Sequence, residues 1–135
     1  MEIKSNRKKI LRELDRRMKA ACEVIGGIAE SAAKDLAPVD TGLLRNSITH
    51  GMAGGKLSVS EYTDDAGGQS GRYTGQSVPA EQNQYTVVIG TNVHYAPYQE
   101  LGAPNAHIPP APFLRPAVEG NADAFKAALK QALEN

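Results

Sequence analysis

The sequence LRELDRRMKAACEVIGGIAESA, residues 11–32, carries an apolar residue at every third or fourth position. This spacing places those residues on one face of an α-helix, and the charged residues between them form a face toward water. We therefore predict one helix over residues 4–36, about 50 Å long at about 1.5 Å per residue. The apolar stripe consists of Leu11, Leu14, Met18, Ala21, Ile25, Ile28 and Ala32.

Two features of this helix bear on its packing. Gly26 and Gly27 lie in its interior, where each glycine costs about 1 kcal/mol relative to alanine, and they indicate a kink or a close approach of another element. The stripe is also long for a small domain. It packs either on the protein's own sheet or, at its far end, on another subunit.

The sequence after the helix alternates between turn signals and strand signals. Pro38 ends the helix, because the residue before a proline is disfavoured in the α region. Asp40 or Thr41 can then cap a short helical turn through Leu44 and Arg45. Alternating or β-branched residues predict antiparallel strands over residues 46–50, 57–62 and 85–90.

Residues 63–83 are rich in Gly, Ser, Gln and Asp and show no periodicity. Their large apolar residues are Tyr73 and Val78, which cannot offset the entropy of ordering so long a segment. We predict a flexible loop here, with Arg72 as the site where a protease cuts first.

The last third of the chain begins with a short helix over residues 95–102, since Pro97 suits a first helical turn and Gly102 suits a left-handed C-cap. Four prolines make residues 103–112 an extended or turning segment. A last helix opens at residues 113–118. Its apolar face consists of Val118, Ala122, Phe125, Leu129, Ala132 and Leu133.

These elements predict the α+β class: a long N-terminal helix, an antiparallel β-meander of three to four strands, a short helix, and a C-terminal helix packed on one face of the sheet. The 135 residues fit a single domain, residues 1–135, of ordinary globular composition, with 41% hydrophobic and 22% charged residues. No apolar run approaches the roughly 18 residues of a membrane span. A basic start without an apolar segment behind it predicts cytosolic synthesis without a secretory signal.

The charge of the chain is unevenly distributed. The formal net charge is zero, which argues against a dedicated nucleic-acid coat. Residues 1–19 nevertheless hold eight cations and three acids, a charge of +5, so the remainder carries −5. Such a dipolar chain suits head-to-tail assembly. The alternative is a nucleic-acid-binding module that uses the basic helix, although Glu13 and Asp15 interrupt its cations and no aromatic platform lies beside them.

The triplet Asp40-Thr41-Gly42 is similar to the signature of retroviral-type aspartic proteases, and a dimer would bring two such aspartates together. In that family the triplet follows a β-strand, whereas here it follows a helix and a proline. A capping or turn role for Asp40 and Thr41 therefore competes with the protease hypothesis.

Other chemistry has little support in the sequence. His50, His94 and His107 lack neighbouring ligands at metal-site spacing, and the glycines of residues 67–75 lack the context of a phosphate loop. Cys22, the single cysteine, lies within the predicted helix, where it packs as a small apolar group. We predict no catalytic site, metal or cofactor.

Two blocks taken together resemble a known family. The first is APVDTGLLRNSI, residues 37–48, directly after an N-terminal helix. The second is IGTNVHYAPYQELG, residues 89–102, followed by PFLRPA, residues 112–117. Their order and residues resemble the head-tail connector, or tail-completion, proteins of the neck of long-tailed bacteriophages and prophages.

The resemblance implies a non-enzymatic virion protein, made in the bacterial cytoplasm, that forms a hexameric or dodecameric ring. The ring would join the portal-bound adaptor to the tail tube and complete the tail, with DNA only as passing cargo. The residues that match the family motif are Pro38, Asp40, Thr41, Gly42, Leu44, Arg45, Gly90, Tyr95, Ala96, Tyr98, Glu100, Gly102, Phe113, Leu114, Arg115 and Pro116.

Three expectations concern side chains. We expect Tyr95 to pack under the C-terminal helix and Glu100 to form an ion pair with Arg115. Tyr98 is either packed or an aromatic anchor for a partner. The candidate interface residues are Leu11, Leu14, Met18 and Tyr98.

Overall fold

The computed structural model describes residues 3–74 and 84–134, with side chains from residue 6 onward. It has the predicted α+β class, with a long N-terminal helix that several of the other elements contact. The helices are α1 Ile3–Leu36, α2 Leu43–Ser47, α3 Ala96–Leu101, α4 Leu114–Glu119 and α5 Ala122–Glu134, and Pro104–Ala106 forms one 3₁₀ turn. The strands are β1 Thr49–Met52, β2 Glu61–Thr63, β3 Ser70–Arg72 and β4 Val87–Gly90.

The helix α1 is present as predicted, but its buried line differs from the predicted stripe. The side that faces the domain carries mostly small residues, whereas Leu11 and Leu14 at the N-terminal end remain 53% and 44% exposed. Met18 is half-buried. Small residues let the strands approach the helix backbone. The buried residues of α1 and the following turn are Ala21, Cys22, Gly26, Ala29, Ala33 and Ala37.

The predicted single meander is wrong, because the four strands form two separate antiparallel ribbons. β1 pairs with β4 in the register Thr49↔Gly90, and β2 pairs with β3 in the register Tyr62↔Gly71. The β1–β4 ribbon lies on α1, whereas the β2–β3 hairpin lies on α2. The two ribbons therefore lie on different helices, although Tyr62 of β2 and Ile89 of β4 pack into the same core, and a continuous sheet does not form among the described residues.

Part of the predicted flexible loop over residues 63–83 is regular structure. β3 lies within it, and the buried Asp64 turns the hairpin by accepting hydrogen bonds from the backbone N–H groups of Gly68 and Gln69. Tyr73 packs against the core and donates its hydroxyl hydrogen to the carbonyl of Ser47. The prediction of one uninterrupted loop is therefore corrected at residues 63–74, and its remainder at residues 75–83 lies outside the described residues.

The C-terminal part differs from the prediction in two ways. The last helix is divided into α4 and α5 at Gly120, and Asn121 donates a side-chain hydrogen bond to the carbonyl of Ala117, 2.7 Å away. The helix α5 packs along α1 instead of on a sheet face, and Arg17 of α1 donates to the carbonyl of Leu133 near the end of α5. The apolar face of α5 thus packs against a helix, not a strand, and its residues Phe125, Leu129 and Ala132 are half-buried.

Candidate assembly surfaces

The first motif block, residues 37–48, joins α1 to α2 and holds the β2–β3 hairpin. Gly42 has a φ of 88°, which favours glycine, and the carboxylate of Asp65 lies directly against it. The Arg45 guanidinium donates to both oxygens of that carboxylate, at 2.7 and 2.9 Å, and Asn46 donates at 3.1 Å. The hydrogen bonds from Asn46 and Arg45 lower the pKa of Asp65.

The triplet Asp40-Thr41-Gly42 therefore occupies a turn between two helices. The Thr41 hydroxyl accepts a hydrogen bond from the backbone N–H of Leu43 at 3.3 Å, which belongs to the turn. The predicted cap by Asp40 or Thr41 is wrong, because Gly42 is the N-cap of α2 and no side chain of the described residues caps that helix. Asp40 is exposed. This setting differs from the strand context of the protease signature, and the motif here organises a turn and the docking of a hairpin.

The second block, residues 89–102, packs its apolar residues into the core. Val93 and Ala96 are buried, and Tyr95 is half-buried against the core with its ring edge-on to His94. The predicted short helix is present as α3. Gly102 has a positive φ of 80° as expected, but its ψ of 173° is extended and not left-handed helical.

Glu100 caps a helix instead of forming the predicted ion pair with Arg115. Its carboxylate accepts hydrogen bonds from the backbone N–H groups of Phe113, Leu114 and Arg115, at 3.1, 2.7 and 3.3 Å. These N–H groups lie at the start of α4, where no intrahelical acceptor exists. The Arg115 side chain, 77% exposed, pairs with Glu119 on its own helix. The predicted ion pair is wrong because the Glu100 carboxylate is hydrogen-bonded to backbone N–H groups and the Arg115 side chain is bound to Glu119.

Most motif residues therefore act inside the domain, and a few remain at the surface. The buried ones are Gly42, Leu44, Ala96 and Phe113, and the half-buried ones are Arg45, Gly90, Tyr95, Glu100, Gly102, Leu114 and Pro116. Those that solvent reaches are Pro38, Asp40, Thr41, Tyr98 and Arg115. The exposed set contains one large apolar side chain, Tyr98, which is 55% exposed.

Tyr98 lies between two grooves at the end of the domain that contains α3. The first groove, of about 460 Å³, is lined by Pro38, Asp40 and Tyr95 among others, and the second, of about 510 Å³, by the segment 102–106. Both also include Ile108, and Leu101 is exposed beside them. An exposed aromatic ring with neighbouring apolar side chains has the composition of a protein interface.

A second apolar patch lies at the N-terminal end of α1. Ile10, Leu11 and Leu14 are exposed there, and Leu133 at the end of α5 extends the patch. Glu13 at its border accepts hydrogen bonds from Arg16 and Arg17, which lower the pKa of Glu13 to about 2. The apolar stripe in the sequence predicts Leu11 and Leu14 as part of this patch, but it does not include Ile10 or Leu133. Leu133 joins the patch because α5 ends against α1.

A polar cluster around the buried His50, which the sequence did not reveal, joins α1 to the β1–β4 ribbon. The His50 side chain is 7% exposed; its Nδ1 lies 3.0 Å from an oxygen of Glu30 and its Nε2 lies 2.8 Å from an oxygen of Glu23. Ser58 and Lys34 also donate to Glu30. Burial alone would raise the pKa of Glu30, but the hydrogen bonds from Ser58, Lys34 and His50 outweigh it and lower that pKa.

Other features of the described residues give no support for catalysis. Cys22 is buried with its Sγ 3.6 Å from the carbonyl of Tyr85, and burial raises the pKa of its thiol. Within residues 3–74 and 84–134, no three His, Cys, Asp or Glu side chains are grouped so that they could hold a metal ion. None of the helices in the same residues has the length and hydropathy of a membrane span.

The motif residues of this α+β domain join its own elements, and apolar side chains are exposed at two separate ends. These are features of a subunit in an assembly. The sequence matches, over residues 2–102, the family described as "Bacteriophage HK97-gp10, putative tail-component". Because the match covers most of the chain, this protein belongs to that family of phage tail components. No curated protein and no solved structure matches the chain.

Proposed function

We propose that this chain is a structural protein of the phage neck, which joins the head to the tail tube as a homo-oligomeric ring and completes the tail. It acts by contact and not by catalysis. Its partners are the adaptor or head-closure protein on one side and the tail-tube protein on the other, and DNA passes through the ring as cargo. Its location is the virion.

Membership of the tail-component family carries this proposal. The two exposed apolar ends support it, since a ring subunit needs two different contact surfaces, one for each neighbour. Leu11 and Leu14 belong to one of these surfaces and Tyr98 belongs to the other. Met18, the next residue of the same stripe, is half-buried.

A complementation experiment tests the proposal. A lysate of the encoding phage or prophage that lacks this gene should contain heads and tails that remain unjoined, and adding the purified chain should restore joined, infective particles. The variant with both Leu11→Asp and Leu14→Asp should fold, because both side chains are largely exposed, but should fail to join them.

Circular dichroism and thermal unfolding of the double variant provide the control for folding. Val24→Asp is a matched control, because Val24 is an exposed apolar residue on α1 outside both surfaces. The proposal fails if particles assemble and infect normally without the chain.

A further inference from the structure

We propose that the two exposed ends of this protein bind each other between copies, so that the N-terminal end of α1 in one copy occupies the Tyr98 grooves of the next. The proposal rests on the ring function above and specifies the interface that builds the ring. It follows from unpaired charge, exposed apolar groups and the distance between the ends.

The first surface, here called the basic end, comprises the patch of Ile10, Leu11, Leu14 and Leu133 with the cations around it. Within the described residues, Arg7, Lys8, Lys9 and Arg12 form no ion pair, whereas the cations that follow them, Arg16, Arg17 and Lys19, bind Glu13 or Asp15. Within the described residues, four exposed and unpaired cations therefore lie in the same turns of α1 as the exposed apolar patch, and Lys9 borders it.

The second surface, here called the acidic end, comprises the grooves around Tyr98 and Ile108 with the carboxylates near them. Among the described residues, Asp40 is the one charged residue that lines the first groove. Asp35, in the last turn of α1, is also exposed, and neither carboxylate forms an ion pair within the described part of the chain. The nearby Lys34 and Arg45 are already bound by Glu30 and Asp65.

The two ends are complementary in chemistry. Each has exposed apolar side chains beside charges without partners, and the charges are of opposite sign. Tyr98 adds an exposed aromatic face, on which an arginine or lysine side chain of the basic end can stack. Apolar contact would supply affinity, and charge complementarity would set orientation and exclude contacts between like ends.

One chain cannot join its own two ends. Leu11 and Asp35 lie 24 positions apart on one helix, which corresponds to about 36 Å at about 1.5 Å per residue. A second copy is therefore the occupant of each groove. A contact between unlike ends is heterologous, and repeating it produces a ring when the rotation closes.

A charge-reversal experiment tests the inference. The first variant, Lys8→Glu with Lys9→Glu and Arg12→Glu, leaves Arg7 as one cation against three new carboxylates and has two acidic ends, and the second, Asp35→Lys with Asp40→Lys, has two basic ends. Each should be a folded monomer by native mass spectrometry and circular dichroism. An equimolar mixture should restore the oligomer of the unaltered protein, with both chains present in equal numbers.

Glu61→Lys is the matched control, because Glu61 is an exposed carboxylate on β2 outside both ends, and it should assemble as the unaltered protein does. If the unaltered chain assembles only on tail tubes, the same measurements are made on tubes. The inference is overturned if either charge-reversed variant still assembles alone, or if their mixture stays monomeric while the unaltered protein assembles. If the chain joins heads to tails while the charge variants act like the unaltered chain, the interface is wrong and the neck function stands.

Discussion

At the scale of single residues, Gly26 allows the ring of His50 to lie against the backbone of α1. A Cβ added at Gly26 would collide with that ring, 2.9 Å from its Cγ, and would lie 3.1 Å from a methyl group of Val87. His50 cannot easily move away, because both ring nitrogens are hydrogen-bonded to carboxylates of α1. The glycine pair thus marks a close approach of a strand.

Gly26→Ala should therefore destabilise the protein, while Gly27→Ala should not. A Cβ at Gly27 has no atom within 4 Å, so alanine there should stabilise the helix by up to about 1 kcal/mol. Gly26→Ala should cost about 1–3 kcal/mol through overpacking. Urea unfolding of the two variants measures both effects, and equal stability of the two would contradict the contact.

Glu100 gives a second prediction for single side chains. Glu100→Ala removes the acceptor of three backbone N–H groups and should cost about 1–2 kcal/mol, the range of a lost helix cap. Glu100→Gln retains one carbonyl acceptor and should cost less. Arg115→Ala, at an exposed pair, should change the free energy of unfolding by less than about 1 kcal/mol. The capping role is wrong if Arg115→Ala proves as damaging as Glu100→Ala.

At the scale of elements, the contact between α1 and the β1–β4 ribbon depends on an ionised carboxylate. The pKa of Glu30 is lowered from its ordinary value of 4.5 in the folded protein. A carboxylate with a depressed folded pKa contributes stability above its unfolded pKa, and this contribution is lost as the pH falls through the folded value.

The stability difference between the unaltered protein and Glu30→Gln should therefore be largest near neutral pH and should shrink as the pH falls below 4.5. Chemical unfolding over a pH series measures this difference. Glu119→Gln is the control, since Glu119 forms an exposed pair with Arg115 and its difference should stay small throughout. A Glu30→Gln difference that does not change with pH would show that folding leaves the pKa of Glu30 unshifted, which would contradict the role of its hydrogen bonds in this contact.

The sequence predicts that a protease cuts first at Arg72, but the β2–β3 hairpin changes this expectation. Arg72 lies opposite Glu61 in the strand register of the hairpin, and its carbonyl accepts a hydrogen bond from the side chain of Asn92 at 2.9 Å. Trypsin should therefore cut first in the N-terminal turns of α1, at Arg7 to Lys9, and later at Arg72. Mass analysis of a brief digest checks this order. Early cleavage at Arg72 would show that the hairpin opens readily.

The elements that the sequence predicts best have strong local signals. The α1 periodicity, the stop at Pro38 and the short helix before Gly102 depend on backbone chemistry within a few residues. Ser70-Gly71-Arg72 has no strand pattern and becomes β3 only because Tyr73 and Asn92 fix it from distant parts of the chain. The pairing of β1 with β4 and the hydrogen bonds from backbone N–H groups to Glu100 likewise depend on tertiary contacts, which the periodicity of the sequence does not encode.

At the scale of the whole molecule, α1 is the axis on which the protein is built. Its C-terminal half buries small residues against the β1–β4 ribbon, and α5 covers its middle. Its N-terminal end keeps Leu11 and Leu14 about half exposed, with Leu133 at the end of α5 beside Leu14. The motif residues of the two blocks could be identified from the sequence. The two exposed surfaces could not, because they depend on where α3 and α5 lie in the folded protein.

The number of chains bound to each isolated tail tests the neck function most directly. Purified tails lacking this protein should be saturated with the chain, and mass photometry together with electron microscopy should count and locate the bound copies. The neck account predicts one closed ring at one end of each tail, with the same number of chains on tails of any length. Chains distributed along the tube, or a number that grows with tail length, would contradict it.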